Sequence, residues 1–442
     1  MASKVVTQTK LTQVGRIPEE WELKQLRDLC TDISYGYTAS ADKEPVGPKF
    51  LRITDIVPYF IDWQSVPFCK INKLDKEKYS LKMGDIVIAR TGANTGANST
   101  IRLEEDAVFA SYLIRFRIDP KQANPFFVGY ILKSSLWQNF VTSILGGSAQ
   151  PGANAKQMGF FSLPVPSPSE QKDIAKILSD LDTRIEINQQ MNETLETIGQ
   201  AVFKRWFVDF EFPNEEGKPY KSSGGEMVYN EEWKKEIPKE WEVGCIEDVA
   251  HVIGGGTPST KMGSYFTNNG IPWLTPKDLS GYEGKFIEKG ATDLTEEGLK
   301  NSSAKLMPKG TILFTSRAPI GYVAIALNDI ATNQGFKSLV PKDNMKSEYL
   351  YQYIRKITPY VQSISSGSTF GEVTGSTMKQ IKILIPECGI LENFEAFINP
   401  INARIINDIL GVRTLTKIRD LILPRLMSGK IRITVEKGAD KN

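Results

Sequence analysis

Residues 17–30 read IPEEWELKQLRDLC, and residues 237–250 read IPKEWEVGCIEDVA. The second stretch begins 220 positions after the first. The same interval returns far downstream, pairing Gly147-Ser148 with Gly367-Ser368, Met158 with Met378, Pro166 with Pro386, Arg184-Ile185 with Arg404-Ile405, Leu195 with Leu415 and Arg205 with Arg425. Between these anchors the register drifts: Gly84 in KMGDIVIAR matches Gly310 in MPKGTILFTSR, 226 positions later. Surface-loop insertions that compensate one another produce such drift. A period of this size is far above the roughly 20 to 50 residues of a solenoid unit. It predicts two domains of one kind, and a length of 442 residues suits two cores better than one.

Each half opens with Pro-x-x-Trp and reaches a turn at Ile33-Ser34-Tyr35-Gly36-Tyr37-Thr38 or Ile253-Gly254-Gly255-Gly256-Thr257-Pro258. Short runs rich in β-branched and aromatic residues follow, KFLRITDIV (49–57), GDIVIAR (84–90) and AVFASYLIRFRI (107–118). Their counterparts are IPWLTPKDL (271–279), GTILFTSR (310–317) and DIATNQGFKSLV (329–340). Bounded by Gly, Pro and Asn, these runs predict strands and turns, with short helices at 125–135 and 347–357 between them. The expectation for each half is a mixed α/β unit with a curved, largely antiparallel sheet, and for the chain an α+β class.

After LPVPSPSEQ (163–171) the residues Ile174, Leu178, Leu181, Ile185, Asn188, Asn192, Leu195 and Val202 recur at alternating spacings of four and three. That is the seam of a packed helix, with Ser167 to Glu170 as its N-terminal cap. After LIPECGI (384–390) the second copy gives Ile398, Ile401, Ile405, Asp408, Leu415 and Ile422. The polar Asn188, Asn192 and Asp408 suit register-fixing rather than stability. About 37 residues at 1.5 Å each make a rod of about 55 Å, longer than one small domain needs, which favours mutual antiparallel pairing over two ordinary surface helices. Pro400 and Gly411 predict a kink, or a late start near residue 400. The expected organisation is a globular domain at 1–166, a helix at 167–209, a connector at 210–236, a second domain at 237–387, a second helix at 388–428 and a tail at 429–442.

The composition excludes several classes of function. One histidine, His251, disfavours most His-based triads and most His-ligated metals, because one imidazole cannot serve several sites. Four cysteines without a CxxC pair read as ordinary buried thiols rather than a zinc site or disulfide framework. No long apolar run and no apolar N-terminal core points to a membrane or to export, so a cytoplasmic location is expected. The net charge of +2 is too small for a histone-like binder, so a nucleic-acid partner would require segregated charge.

In this order and in two copies, the residues resemble the specificity subunit (HsdS) of type I restriction-modification enzymes. The likeness rests on the duplicated unit-helix order, Gly255-Gly256-Thr257-Pro258-Ser259, Trp273-Leu274-Thr275 with Lys277-Asp278, the Gly-Ser pairs, Pro166-Ser167-Pro168 with Glu170-Gln171, and Leu423-Pro424-Arg425-Leu426-Met427-Ser428-Gly429-Lys430. It covers nearly the whole chain, about residues 12–433. It implies two target-recognition domains separated by two helices, each domain reading one half of a split duplex DNA sequence. It further implies two methyltransferase subunits using S-adenosylmethionine, and motor-endonuclease subunits. Cofactors are therefore expected on those partners (S-adenosylmethionine, ATP and Mg) and none on this chain. The first half departs from the glycine-rich pattern at Ser34-Tyr35-Gly36-Tyr37.

No Asn-Pro-Pro-Tyr or Asp-Pro-Pro-Tyr segment is present to hold a flipped adenine, and Gly255 to Lys261 does not satisfy GxxxxGK[ST]. A stand-alone methyltransferase or nuclease thus lacks its motifs, and a coiled-coil scaffold indifferent to DNA is the other alternative. For DNA binding the useful side chains are loop Arg, Lys, Asn, Gln, Ser, Thr and Tyr. The candidates are Tyr35, Tyr37, Thr38, Arg52, Thr54, Arg90, Thr91, Asn94, Ser148 and Lys156 in the first unit. In the second they are Thr257, Ser259, Lys261, Thr275, Lys277, Ser316, Arg317, Asn333, Gln334, Lys337 and Thr369. Arg90 and Arg317, read as corresponding strand ends, lead the set. Phe203, Trp206, Phe207 and Phe210, at helical spacing, read either as core or as a surface for a partner subunit.

Overall fold

The computed structural model describes residues 3–4, 8–146, 152–282, 284–365 and 371–433. The chain forms two compact units, one made of residues 1–188 and 411–442, the other of residues 189–410. Each unit therefore holds half of each long helix, whereas the sequence pattern had set the helices apart from the domains.

In the first unit, Cys30–Tyr35, Leu113–Ile118, Asp85–Ala89 and Asn98–Thr100 form an antiparallel sheet in that spatial order. A parallel pair, Lys49–Leu51 with Ala107–Phe109, lies beside it. Asp85–Ala89 is buried on both faces, as its run of apolar residues requires. The period of two sends Ile86 and Ile88 into a core with Phe127 and Trp137, and Val87 and Ala89 into a second core with Leu51 and Phe109. The unit is closed by Glu22–Gln25 paired with Ser162–Val165.

The second unit repeats this plan. Ala250–Gly254, Lys337–Pro341, Ile312–Ser316 and Ile320–Ala326 are antiparallel in that order, with Phe286–Ile287 added in parallel at the edge. Ile271–Leu274 pairs in parallel with Ala331–Thr332, and Glu242–Cys245 closes on Lys382–Ile385. Even the registers match: Ser162 faces Gln25 as Lys382 faces Cys245, and Leu51 faces Phe109 as Leu274 faces Thr332. His251 is exposed on an edge strand. The cysteines are free; Cys69 is buried, but Cys388 is exposed, against the reading of all four as buried thiols.

The first long helix runs Pro168–Phe203 and continues as a π turn over Lys204–Val208; the second runs Cys388–Met427. The second neither starts late nor stops at Pro400. Pro400 removes one backbone donor, but Ile398 and Ile405 stay fully buried on either side, and that packing carries the helix through. In the first unit Arg419 meets Asp182 and Gly411 lies by Asn188, and in the second Phe394 meets Phe203 and Ile398 lies by Gly199, so the helix segments run antiparallel in both.

Phe203, Phe207 and Phe210 are core residues and not a partner surface. Phe207 packs edge-on against Tyr349 and Phe394 at 4.7 and 4.9 Å, and Phe210 meets Trp241 at 5.4 Å. Trp206 is half-buried against Phe394. The exit of the first helix thereby covers the Pro238-x-x-Trp241 motif. In the first unit the exit of the second helix covers Pro18-x-x-Trp21: Gly429 lies against both residues, and Arg432 joins Glu170 and Glu20. Ser3–Lys4 then pairs with Arg432–Ile433.

Buried ion pairs and hydrogen bonds tie the long helices to each other in the first unit and to the segment entering Phe286–Ile287 in the second. In the first unit Asp182 accepts from Arg419 at 3.1 Å and from Tyr130 at 2.8 Å, while Arg419 stacks on Tyr59 at 3.8 Å. In the second, Lys285 holds Glu348 at 2.5 Å and Asn402 at 2.7 Å, and Glu196 holds the Lys285 amide and Arg355. Asp182 and Asn402, 220 positions apart, serve as equivalent anchors.

Asp182→Ala removes the buried one of two carboxylates on Arg419, the exposed Asp420 at 2.8 Å being the other, and is expected to cost about 2 kcal/mol of unfolding free energy. Combining Asp182→Leu with Arg419→Met is expected to restore much of that loss in denaturant titrations. Lys133 gives a pH signature. Burial, aided by Arg419 and opposed by Asp182, pushes it down to about 8. Unfolded lysine stays protonated to about pH 10.4, so the cost of the buried charge is full below pH 8 and fades as pH rises from there to 10.4. Lys133→Met is therefore expected to raise the melting temperature at pH 7, with an advantage that shrinks by pH 10.

Candidate nucleic-acid interface

A backbone contact builds the same surface at one end of the sheet in each unit. A Cβ on Gly36 would lie 2.3 Å from the carbonyl oxygens of Phe109 and Ala110. A Cβ on Gly255 would lie 2.4 Å from Thr332 O and 2.0 Å from Asn333 O. Only glycine permits this approach. The following amides complete the closure, Tyr37 N–H donating to Phe109 O at 2.8 Å and Gly256 N–H to Thr332 O at 2.9 Å. Each turn is also tied to the parallel pair: Ala110 N–H donates to Leu51 O, and Asn333 N–H to Leu274 O. The first half thus keeps the glycine that the contact needs, and its departure from the glycine-rich pattern falls on the residues around it.

In the first unit this surface gathers Tyr35, Tyr37, Arg90 and Thr91. Arg90 Nε donates to Ser111 O at 3.1 Å, and its guanidinium lies over the Tyr35 ring at 5.1 Å. The Tyr35 hydroxyl accepts from Ala155 N–H at 3.1 Å, which brings the exposed Lys156 alongside. Tyr37 packs at a tilt against Tyr79 at 5.4 Å, and Thr38 is exposed after it. Arg52 is committed to Asp55 at 2.8 Å, which also holds it above the usual arginine range, and Thr54 is exposed next to it. Asn94 is exposed in the turn after Thr91, where its carbonyl accepts from Ala97 N–H. Ser148 lies outside the described residues.

In the second unit Thr257 bonds the Gln334 side chain, and the Asn333 side chain accepts from Gly335 N–H at 2.8 Å. Lys337 lies 3.5 Å from both Ser316 Oγ and Glu372, and Arg317 lies 3.9 Å from Glu372. Thr275 spends its hydroxyl on Asp278 at 2.7 Å, and Ser316 is fully buried with its hydroxyl on Gly335 O. Ser259, Lys261 and Lys277 are exposed on the adjoining turns. Thr369 lies outside the described residues.

The structure corrects the pairing of the two arginines. Ala153 N–H donates to Arg90 O as Val373 N–H donates to Ser316 O, and Arg90 N–H donates to Tyr112 O as Ser316 N–H donates to Gly335 O. Arg90 therefore matches Ser316, and Arg317 matches Thr91. Sequence reasoning also missed Tyr112, which is 58% exposed beside Arg90, and Glu372. Tyr112 sat inside a run that reads as strand, and a lone acid among 52 carries no signal.

Among the described residues, no group of three or more His, Cys, Asp or Glu is arranged to hold a metal ion, and no helix is long and apolar enough to cross a membrane. The surface offers donors, stacked rings and exposed amides instead, the equipment for reading base edges and phosphates.

Gly255→Ala must displace backbone and is expected to cost at least about 2 kcal/mol, by the overpacking rule. Gly254→Ala meets nothing within 4 Å and should leave the melting temperature unchanged, which makes it the control. Equal effects of the two substitutions would contradict the close-approach account.

The model of the type I restriction modification DNA specificity domain matches twice, over residues 18–197 and 238–410. A type I restriction enzyme specificity subunit of Methanocaldococcus jannaschii, MjaIX, is 52% identical over 152 residues, 34% of this chain and 35% of that protein. The HindI specificity subunit of Haemophilus influenzae is 25% identical over 93% of this chain and all of that one. The crystal structure of the type I S subunit from M. genitalium shares the fold, with a TM-score of 0.59 over 99% of this chain and 100% of that one at 13% identity. With both halves matched, the chain belongs to the type I restriction-modification DNA specificity family and is its target-recognising, non-catalytic kind of subunit.

Proposed function

We propose that each unit reads one half of a split duplex target, and that the two long helices set the spacing between the halves. The single observation behind this reading is the repeated strand-end surface, closed by Gly36 or Gly255 and presenting different side chains on the same backbone frame. A common frame with different reading groups is what two unequal half-sites require.

The partners in this reading are two methyltransferase subunits and motor-endonuclease subunits, in the cytoplasm. S-adenosylmethionine, ATP and Mg serve chemistry on those chains. A seat for them is offered by exposed apolar side chains on the helices: Met191, Ile198 and Phe397 in the second unit, and Ile187, Ile418 and Leu421 in the first. Open apolar residues at helical spacing suit a partner helix.

Selection of bound duplexes from a random pool, using the chain with a cognate methyltransferase subunit, tests the reading. A two-part motif with a constant gap is expected. Arg317→Ala should weaken or alter one half only, by about tenfold to a hundredfold at the affected position. A contiguous motif contradicts the split-site reading. Uniform binding with a salt slope and no preference points to a DNA-indifferent scaffold, and methyl transfer by the purified chain alone points to an enzyme.

A further inference from the structure

We infer that Arg90 reads a guanine in the half-site of the first unit, and that Tyr35 and the Ser111 carbonyl act as positioning groups for it. The inference rests on the reading above and goes further, because it names the base.

The guanidinium is prepared before any ligand arrives. Its Nε donates to the Ser111 carbonyl, and its Cζ lies 5.1 Å from the centre of the Tyr35 ring. The ring is fixed in turn, since the Tyr35 hydroxyl accepts from the Ala155 amide. At its backbone, Arg90 is bonded on both sides, N–H to Tyr112 O and carbonyl to Ala153 N–H. Among the described residues no carboxylate pairs with it. Its two terminal nitrogens are thus held in one plane as donors, and arginine has no acceptor to offer.

In the major groove, guanine alone presents two adjacent acceptors, O6 and N7. Adenine pairs an acceptor with a donor, thymine shows one acceptor with a methyl group, and cytosine shows a donor. A phosphate would also accept two bonds from the fork, but it carries no base information, so the two contacts differ in whether base preference or overall affinity falls when Arg90 is changed.

The second unit supplies the contrast. The residue at the position of Arg90 is Ser316, fully buried with its hydroxyl on Gly335 O. The neighbouring Arg317 is drawn to Glu372 together with Lys337. The guanine contact is therefore peculiar to one half of the target, and the other half serves as an internal control of folding.

The experiment is duplex selection with the full chain and a cognate methyltransferase subunit, comparing wild type, Arg90→Lys, Tyr35→Phe and Tyr35→Leu. Wild type is expected to enrich guanine at one position of one half-site. Arg90→Lys should lose that preference about tenfold or more and leave the other half intact, because a point charge cannot replace the planar fork. Tyr35→Phe keeps the ring and should retain most of the preference; Tyr35→Leu removes the platform and should weaken it. If Arg90→Lys or Arg90→Ala lowers affinity for all duplexes alike with base preferences unchanged, Arg90 is a phosphate contact and the inference is overturned. A preference at every position equal to wild type overturns it as well. A wild type that enriches no split motif instead overturns the reading of the two units, which is a distinguishable failure.

Discussion

The strand-end surface of each unit depends on two strands of backbone approaching closer than any side chain allows. At Gly36 and at Gly255 the chain lies directly on the carbonyls of a neighbouring turn, and the residues flanking each turn take their places from that closure. The constraint is on backbone, so it leaves side chains on either side free to vary. One frame can carry Tyr35 and Arg90 in one unit and Thr257 and Gln334 in the other without changing its shape. Two units built on one frame can present chemically different reading groups.

Beneath that surface the cores make the frame stiff. The strand Asp85–Ala89 divides its side chains between two cores, and Ile312–Ser316 does the same in the second unit. Close-packed cores transmit position well, since a shift of one strand disturbs both. At the far ends, each Pro-x-x-Trp motif is covered by the exit of a long helix, Trp21 by Gly429 and Arg432, Trp241 by Phe207, Phe210 and Phe212. The same mode of attachment occurs twice although one copy lies within the chain and the other joins its two ends.

The duplication was legible from the Pro-x-x-Trp stretches and the interval of 220, and with it the fold class and the two long helices. Those signals are periodic or exact repeats, which sequence displays directly. The second helix running through Pro400 was not legible, because local propensity favours a break and only the burial of Ile398 and Ile405 overrides it. The aromatic set at 203–210 could be core or interface by spacing alone, and Trp241 and Tyr349 decided it from 31 or more residues away. Within the site, Arg90 and Arg317 looked equivalent because both end a similar strand. The interval of 226 between Gly84 and Gly310 sets Arg90 on Ser316, and the bonds from Ala153 and Val373 to those two residues follow that register; the likeness of two arginines obscured it. Tyr112 and Glu372 were invisible because their importance comes only from neighbours distant in sequence.

The most direct test of the central claim, that the chain is one DNA reader present twice, is a hydroxyl-radical footprint of the complete assembly on its selected duplex. The account predicts two protected tracts with an accessible gap between them, and loss of one tract alone when Gly255→Ala disrupts the second unit. A single continuous tract, or the disappearance of both together, would contradict it.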